Sequence, residues 1–154
     1  MSVVYLDTSA LLKRYVAETG SSWMSALLAA PNAPVVSTSQ PSVAEATCAF
    51  ARRLRDGTLP LSLHARALLA LSYDSAYRCI LLDVTPATID VACRLANKHP
   101  MRAYDAIQLS TAWLFNQALL SSERPPLCFV SADDSLVTVA QVEGLLTENP
   151  NHHP

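Results

Sequence analysis

Short apolar runs alternate with longer stretches of helical periodicity along almost the whole chain. Val3-Val4-Tyr5-Leu6 is apolar and partly β-branched without alternation, the pattern of a strand buried on both faces. Asp7-Thr8-Ser9 supplies capping oxygens ahead of a helical pattern from Ala10 to Tyr15. Gly20-Ser21-Ser22 interrupts it, and a second helix is predicted over Trp23 to Ala30. Pro31 to Pro34 reads as a turn. Val35-Val36-Ser37 is a second strand, followed by a helix from Pro41 to Arg55 that Asp56-Gly57 closes. Further helices fit Ser62 to Tyr77, Pro86 to Asn97, Tyr104 to Leu120 and Asp133 to Val142. Strands fit Ile80 to Leu82 and Leu127 to Val130, with Gly144 to Thr147 as an edge strand.

Strands alternating with helices specify an α/β fold with a mostly parallel sheet and helices on both faces. The length of 154 residues suits one domain with a real core, over residues 1–148, with 149–154 as a C-terminal tail.

Composition changes this picture in two ways. Hydrophobic residues make up 51% and charged residues 16%, below the usual charged share of about 25%. So little polar material leads us to expect some apolar surface to be covered by another chain. The net charge of -2 excludes a bulk basic field, so any nucleic-acid binding must come from local cations. Cys48, Cys79, Cys93 and Cys128 show neither a C-x-x-C pair nor a Cys/His cluster, and are expected to be buried, reduced thiols. No basic n-region precedes Asp7, and no apolar run is long enough to cross a bilayer, so the expected location is cytoplasmic, with no membrane partner.

The candidate chemistry lies in four acids. Asp7 follows the first strand, Glu45 sits early in the helix after the second, Asp105 opens the Tyr104 helix, and Asp133 follows the Leu127 to Val130 strand. The carboxyl ends of parallel strands and the neighbouring helix N-termini line the ligand crevice of an open α/β sheet. Carboxylates gathered there repel one another unless a cation holds them, and hard oxygen ligands favour Mg²⁺ or Mn²⁺ over zinc. Each acid also has a plainer role. Asp7 and Asp133 fit helix caps, Glu45 completes a Ser42-x-x-Glu45 capping box, and Asp105 complements a helix dipole. A chance fall of all four on one sheet edge is the less economical reading.

Leu6-Asp7-Thr8-Ser9-Ala10-Leu11, Val43-Ala44-Glu45, Arg102-Ala103-Tyr104-Asp105-Ala106-Ile107 and Val130-Ser131-Ala132-Asp133 together resemble a PIN domain. The likeness runs from Val3 to Leu146 and is closest to the VapC-type toxins of bacterial and archaeal toxin–antitoxin pairs. It implies a three-layer α/β/α sandwich around a sheet of five strands, and a metal-dependent endoribonuclease. Asp7, Glu45, Asp105 and Asp133 would be the catalytic and metal-holding quartet, supported by Ser9 and, less directly, Thr8. Asp133 rather than Asp134 matches the motif position. Where some family members carry a further acid on the third motif's helix, this chain has Gln108 and Leu109. The implied partners are an RNA substrate, a cognate antitoxin and a second copy of the chain.

Lys13, Arg14 and Arg102 are the candidate RNA contacts, against the plainer view of solvated faces. An aspartyl phosphatase would place a second Asp where Ser9 stands, and a phospho-receiver domain needs an acidic pair and a late Lys that are missing. A PIN-fold nuclease acting on DNA or in RNA processing without an antitoxin, and a catalytically silent PIN-like binding module, are the alternatives.

Overall fold

A computed structural model of the chain describes residues 2–153. β1 (Val3–Leu6) is followed by α1 (Thr8–Leu12), α2 (Ser21–Ala29), β2 (Val35–Ser39), α3 (Gln40–Arg55) and α4 (Leu61–Tyr77). Then come β3 (Cys79–Leu82), α5 (Pro86–Lys98), α6 (Ala103–Ser121), β4 (Cys128–Val130), α7 (Asp134–Val142) and β5 (Leu146–Glu148), with a 3-10 helix over Pro150–His152.

The five strands form one parallel sheet in the order β3-β2-β1-β4-β5. In the central strand the side chains alternate between faces, as the pleat requires. Val4 and Leu6 pack with Leu11, Met24, Phe50 and Leu71, from α1 to α4. Val3 and Tyr5 pack with Leu95, Leu109, Phe129 and Leu136, from the α5 to α7 side. Two cores, one on each sheet face, make the three-layer sandwich expected from the sequence.

The division follows from topology. From β1 the chain steps outward to β2 and β3, then returns to build β4 and β5 on the other side. Right-handed crossovers in opposite directions put their helices on opposite faces. Between β1 and β4 the direction reverses, and the loops leaving the two strands part there, opening a crevice at the carboxyl edge.

Local departures from the sequence reading have physical causes. The first helix ends at Leu12 instead of Tyr15, and the chain turns on through Lys13, whose ammonium is drawn inward to Glu18 Oε1 (3.1 Å) and the Thr19 carbonyl (2.7 Å). α7 closes in a Schellman motif, with Leu145 N–H donating to the Ala140 carbonyl and Gly144 N–H to that of Gln141, both at 3.0 Å. This turn holds Gly144 at φ +85° and shifts the edge strand to Leu146–Glu148.

The segment from Asn149, expected as a tail, folds back. Pro150 is buried against Gly20, and the Trp23 and His153 rings stack at 4.6 Å. Ser42 also departs from its expected place: it lies inside α3, whose N-cap position is Ser39, so there is no Ser42–Glu45 capping box. The cysteines are free, but Cys48 and Cys93 are exposed on α3 and α5, and Cys79 and Cys128 are only half-buried. Among the described residues no helix is long and apolar enough to cross a membrane.

Candidate active site

Asp7 is built into the end of β1. Its N–H still donates to the Val130 carbonyl (3.1 Å), so the β1–β4 pairing continues up to the carboxylate itself. Oδ1 accepts from Ala10 N–H (2.8 Å) and Ser9 Oγ (2.7 Å), the first of these capping α1. Oδ2 accepts from Ser131 Oγ (2.8 Å). Burial nevertheless dominates and raises the carboxyl to about 6, opposed by these hydrogen bonds and reinforced by the charge of Glu45.

Ser9 and Ser131 join the two loops of the crevice. Ser9 Oγ also accepts from Ala132 N–H (2.8 Å), and Ser131 Oγ accepts from Asp133 N–H (3.1 Å). Asp133 caps α7, with Oδ1 receiving Ser135 N–H (2.8 Å) and Ser135 Oγ (2.5 Å). The Ser135 hydroxyl bond is the main reason its carboxyl lies below the usual range. Asp134 turns away, accepting from Asn149 Nδ2 (2.6 Å) and contacting His152 Nε2 (3.1 Å) in the returning C-terminal segment.

Across the sheet edge, Glu45 lies in the second turn of α3, where its Oε2 is buried with no hydrogen-bond partner among the described residues. The Tyr104 hydroxyl is likewise buried and unpartnered, and burial together with the Glu45 charge pushes it up to about 12. Asp105 is half-buried in the first turn of α6. Burial and then the charge of Asp133 raise its carboxyl, while Arg102 acts in the opposite direction. Asp105 and Asp133 face a cleft of about 370 Å³ whose walls include Arg102, Ser135, Met101 and Leu136.

The acids are therefore coupled in two pairs, Asp7 with Glu45 and Asp105 with Asp133. Among the described residues no three acidic, His or Cys side chains already stand close enough to share one cation. The donors still fit a hard divalent ion in kind, because they are all carboxylate oxygens. A buried carboxylate oxygen without a donor, beside a second buried carboxylate of raised pKa, is an arrangement that a cation would relieve.

Of the cations singled out in the sequence, only Arg102 is beside the acids; it is exposed and makes no ion pair among the described residues. Lys13 is buried on Glu18, and Arg14 binds Asp74 of α4 (Nε to Oδ2, 2.5 Å). Arg53 also pairs with Glu18, at 2.7 Å. Thr8 faces inward, where its Oγ1 accepts from Gln108 Nε2 at 3.2 Å, and among the described residues it makes no hydrogen bond to an acid.

Sequence reasoning passed over Ser131 and Tyr104. The first had a usable signal, since a hydroxyl between strand and Asp133 mirrors Thr8-Ser9 after Asp7. The second is flagged only by standing next to Asp105, which is a weak cue.

The fold is that of a parallel α/β protein, with two pairs of carboxylates beside the switch point of its sheet. The chain belongs to the PIN domain family, whose model matches residues 4–125. Solved structures share the fold at low identity. A toxin–antitoxin complex from Klebsiella pneumoniae aligns with a TM-score of 0.62 at 16% identity, covering 96% of this chain and 97% of its own. VapC20 of Mycobacterium tuberculosis, described as a sarcin-ricin loop cleaving toxin, gives 0.64 at 17%, covering 94% and 97%. VapBC-5, a toxin–antitoxin family member from the same organism, gives 0.52 at 18%, covering 97% and 98%. Comparison with curated proteins finds no match.

Proposed function

We propose that this chain is a Mg²⁺- or Mn²⁺-dependent endoribonuclease, the toxin of a toxin–antitoxin pair, acting in the cytoplasm. The observation that carries the proposal is the buried, unpartnered Glu45 Oε2 beside Asp7, at the edge that also holds the Asp105–Asp133 pair. A divalent cation bound by Asp7, Glu45, Asp105 and Asp133 would supply a water acidic enough to attack near neutral pH and would offset charge on the phosphate.

The chain's own residues prepare that chemistry. Asp7 is held from both oxygens, so its carboxylate is fixed in direction before any ligand arrives. Ser9 and Ser131 tie that carboxylate to the loop bearing Asp133. Arg102 offers an exposed cation where a flanking phosphate would run past Asp105, which lets a chain of net charge -2 engage RNA locally.

An antitoxin partner is supported by the toxin–antitoxin proteins that share this fold, and an RNA substrate by VapC20, the sarcin-ricin loop cleaving toxin among them. An apolar stripe on α4 supports a covering chain: Leu61, Leu69, Tyr73 and Tyr77, spaced one turn or two apart, are all more than half exposed.

The test is cleavage of single-stranded RNA and DNA in Mg²⁺, with and without chelator, by the protein and its Asp105→Asn variant. Chelator-sensitive RNA cleavage lost in the variant is expected. Cutting of DNA alone would transfer the site to a DNA nuclease, and equal cleavage by the variant would remove Asp105 from it.

A further inference from the structure

We infer that Gln108 is a positioning residue whose buried amide sets the register of the Asp105 helix against Asp7 and Glu45. The inference rests on the metal-site reading proposed above.

Gln108 lies three residues after Asp105, on nearly the same side of α6, and is only 2% exposed. Its amide uses its full capacity of two accepted and two donated hydrogen bonds. Oε1 accepts from Tyr5 OH (2.6 Å) and Ser39 Oγ (3.3 Å), and Nε2 donates to Ser42 Oγ (2.8 Å) and Thr8 Oγ1 (3.2 Å). Every partner is in a segment that carries or adjoins an acid. Tyr5 is two residues before Asp7 and Thr8 one after it, while Ser39 and Ser42 lead into Glu45. The Ser39 and Ser42 hydroxyls also bond each other at 2.9 Å, which closes the network.

Packing alone would not fix this register. α6 rests on the sheet through apolar residues such as Leu109 and Ala112, and such contact is non-directional. A slip of one residue along a helix axis is about 1.5 Å, whereas metal–ligand distances tolerate about 0.2 Å. Four directional bonds from one amide remove that freedom. A neutral amide does so without adding a further charge beside Asp7 and Glu45.

The same helix supplies a control. Asn116 is a buried amide too, but its Oδ1 accepts Leu127 N–H (3.0 Å), tying α6 to the chain entering β4 by a single bond. Loss of either amide costs packing and hydrogen bonding; only Gln108 touches the acid-bearing segments.

The experiment measures Mn²⁺ affinity of the metal-free protein by titration calorimetry, with thermal unfolding recorded on each sample. Gln108→Leu is expected to weaken Mn²⁺ binding about tenfold, the low end of the range for groups bonded directly to metal ligands, because Gln108 acts through Tyr5, Thr8, Ser39 and Ser42. Ser42→Ala should give a smaller loss of the same sign. Asn116→Leu should unfold at lower temperature yet bind Mn²⁺ like the parent. Parent-like affinity in folded Gln108→Leu would overturn the inference while leaving the metal site standing. Should that variant fail to fold, unchanged affinity in Ser42→Ala overturns it instead. A parent protein that binds no Mn²⁺ overturns the metal site itself, a result distinct from either.

Discussion

The Ser131 hydroxyl donates to Asp7 Oδ2 at 2.8 Å, across the junction where β1 and β4 part. Ser131 Oγ also accepts the Asp133 N–H, so one small side chain touches both a carboxylate and the backbone of the next acid. Ser131→Ala removes a donor from a buried carboxylate and orphans an N–H. We expect a stability loss of about 1–3 kcal/mol, read from chemical denaturation, together with reduced RNA cleavage. Unchanged stability and cleavage would show that Ser9 and Ala10 suffice to hold Asp7.

Asp7 itself makes a prediction about pH. Its carboxyl titrates near 6 when folded, against 3.8 when exposed, chiefly because it is buried. Between those values the folded state keeps a proton that the unfolded state has lost, so this group's contribution to stability falls as pH rises from about 4 to 6 and is flat above. The loss is on the order of 3 kcal/mol for a shift of about two pH units. Metal-free Asp7→Asn should therefore be more stable than the parent at pH 8 and show little advantage at pH 4. Glu18, Asp133 and Glu143, whose pKa values are lowered, act in the opposite sense in both proteins and cancel in the comparison. A pH-independent difference between variant and parent would show that Asp7 is not held in this state.

Arg102 and Lys13, alike as cations in the sequence, should behave differently. Arg102→Ala is expected to raise KM for RNA severalfold and leave the unfolding temperature close to the parent's, because the side chain is exposed. Lys13→Ala leaves Glu18 with Arg53 as its remaining ion-pair partner and opens a buried site, so it should lower stability while KM stays near the parent value. The reverse pattern would move the RNA path to the α1 side.

Gly20 and Gly144 separate two costs of replacing glycine. Both have positive φ, +82° and +85°, which costs an alanine about 1–2 kcal/mol. At Gly144 a Cβ meets nothing within 4 Å, whereas at Gly20 it would lie 2.4 Å from the Pro150 carbonyl oxygen. Gly20→Ala should thus destabilise clearly more than Gly144→Ala and should free the 149–153 segment, visible as faster amide exchange there. Equal effects would mean that the segment is not seated on Gly20.

Much of this was legible in sequence because it depends on near neighbours. The β-branched run before Asp7, the Pro and Gly punctuation, and the caps of Asp7 and Asp133 are all interactions within a few residues, which periodicity and side-chain chemistry report directly. The motif order placed all four acids at the carboxyl edge of a parallel sheet. Other features depended on which strand lies next to which. Ser131 meets Asp7 only because β4 returns to pair with β1, 124 residues away in the chain, and Tyr5 reaches Gln108 across 103. Lys13 looked like a free cation until the turn after Leu12 folded it onto Glu18. Local sequence determines which elements form and where chemical groups sit along them; which groups touch is decided by strand order and burial. Asp7 and the loop bearing Asp133 were joined through their two serine tethers only when the sheet reversed direction between β1 and β4.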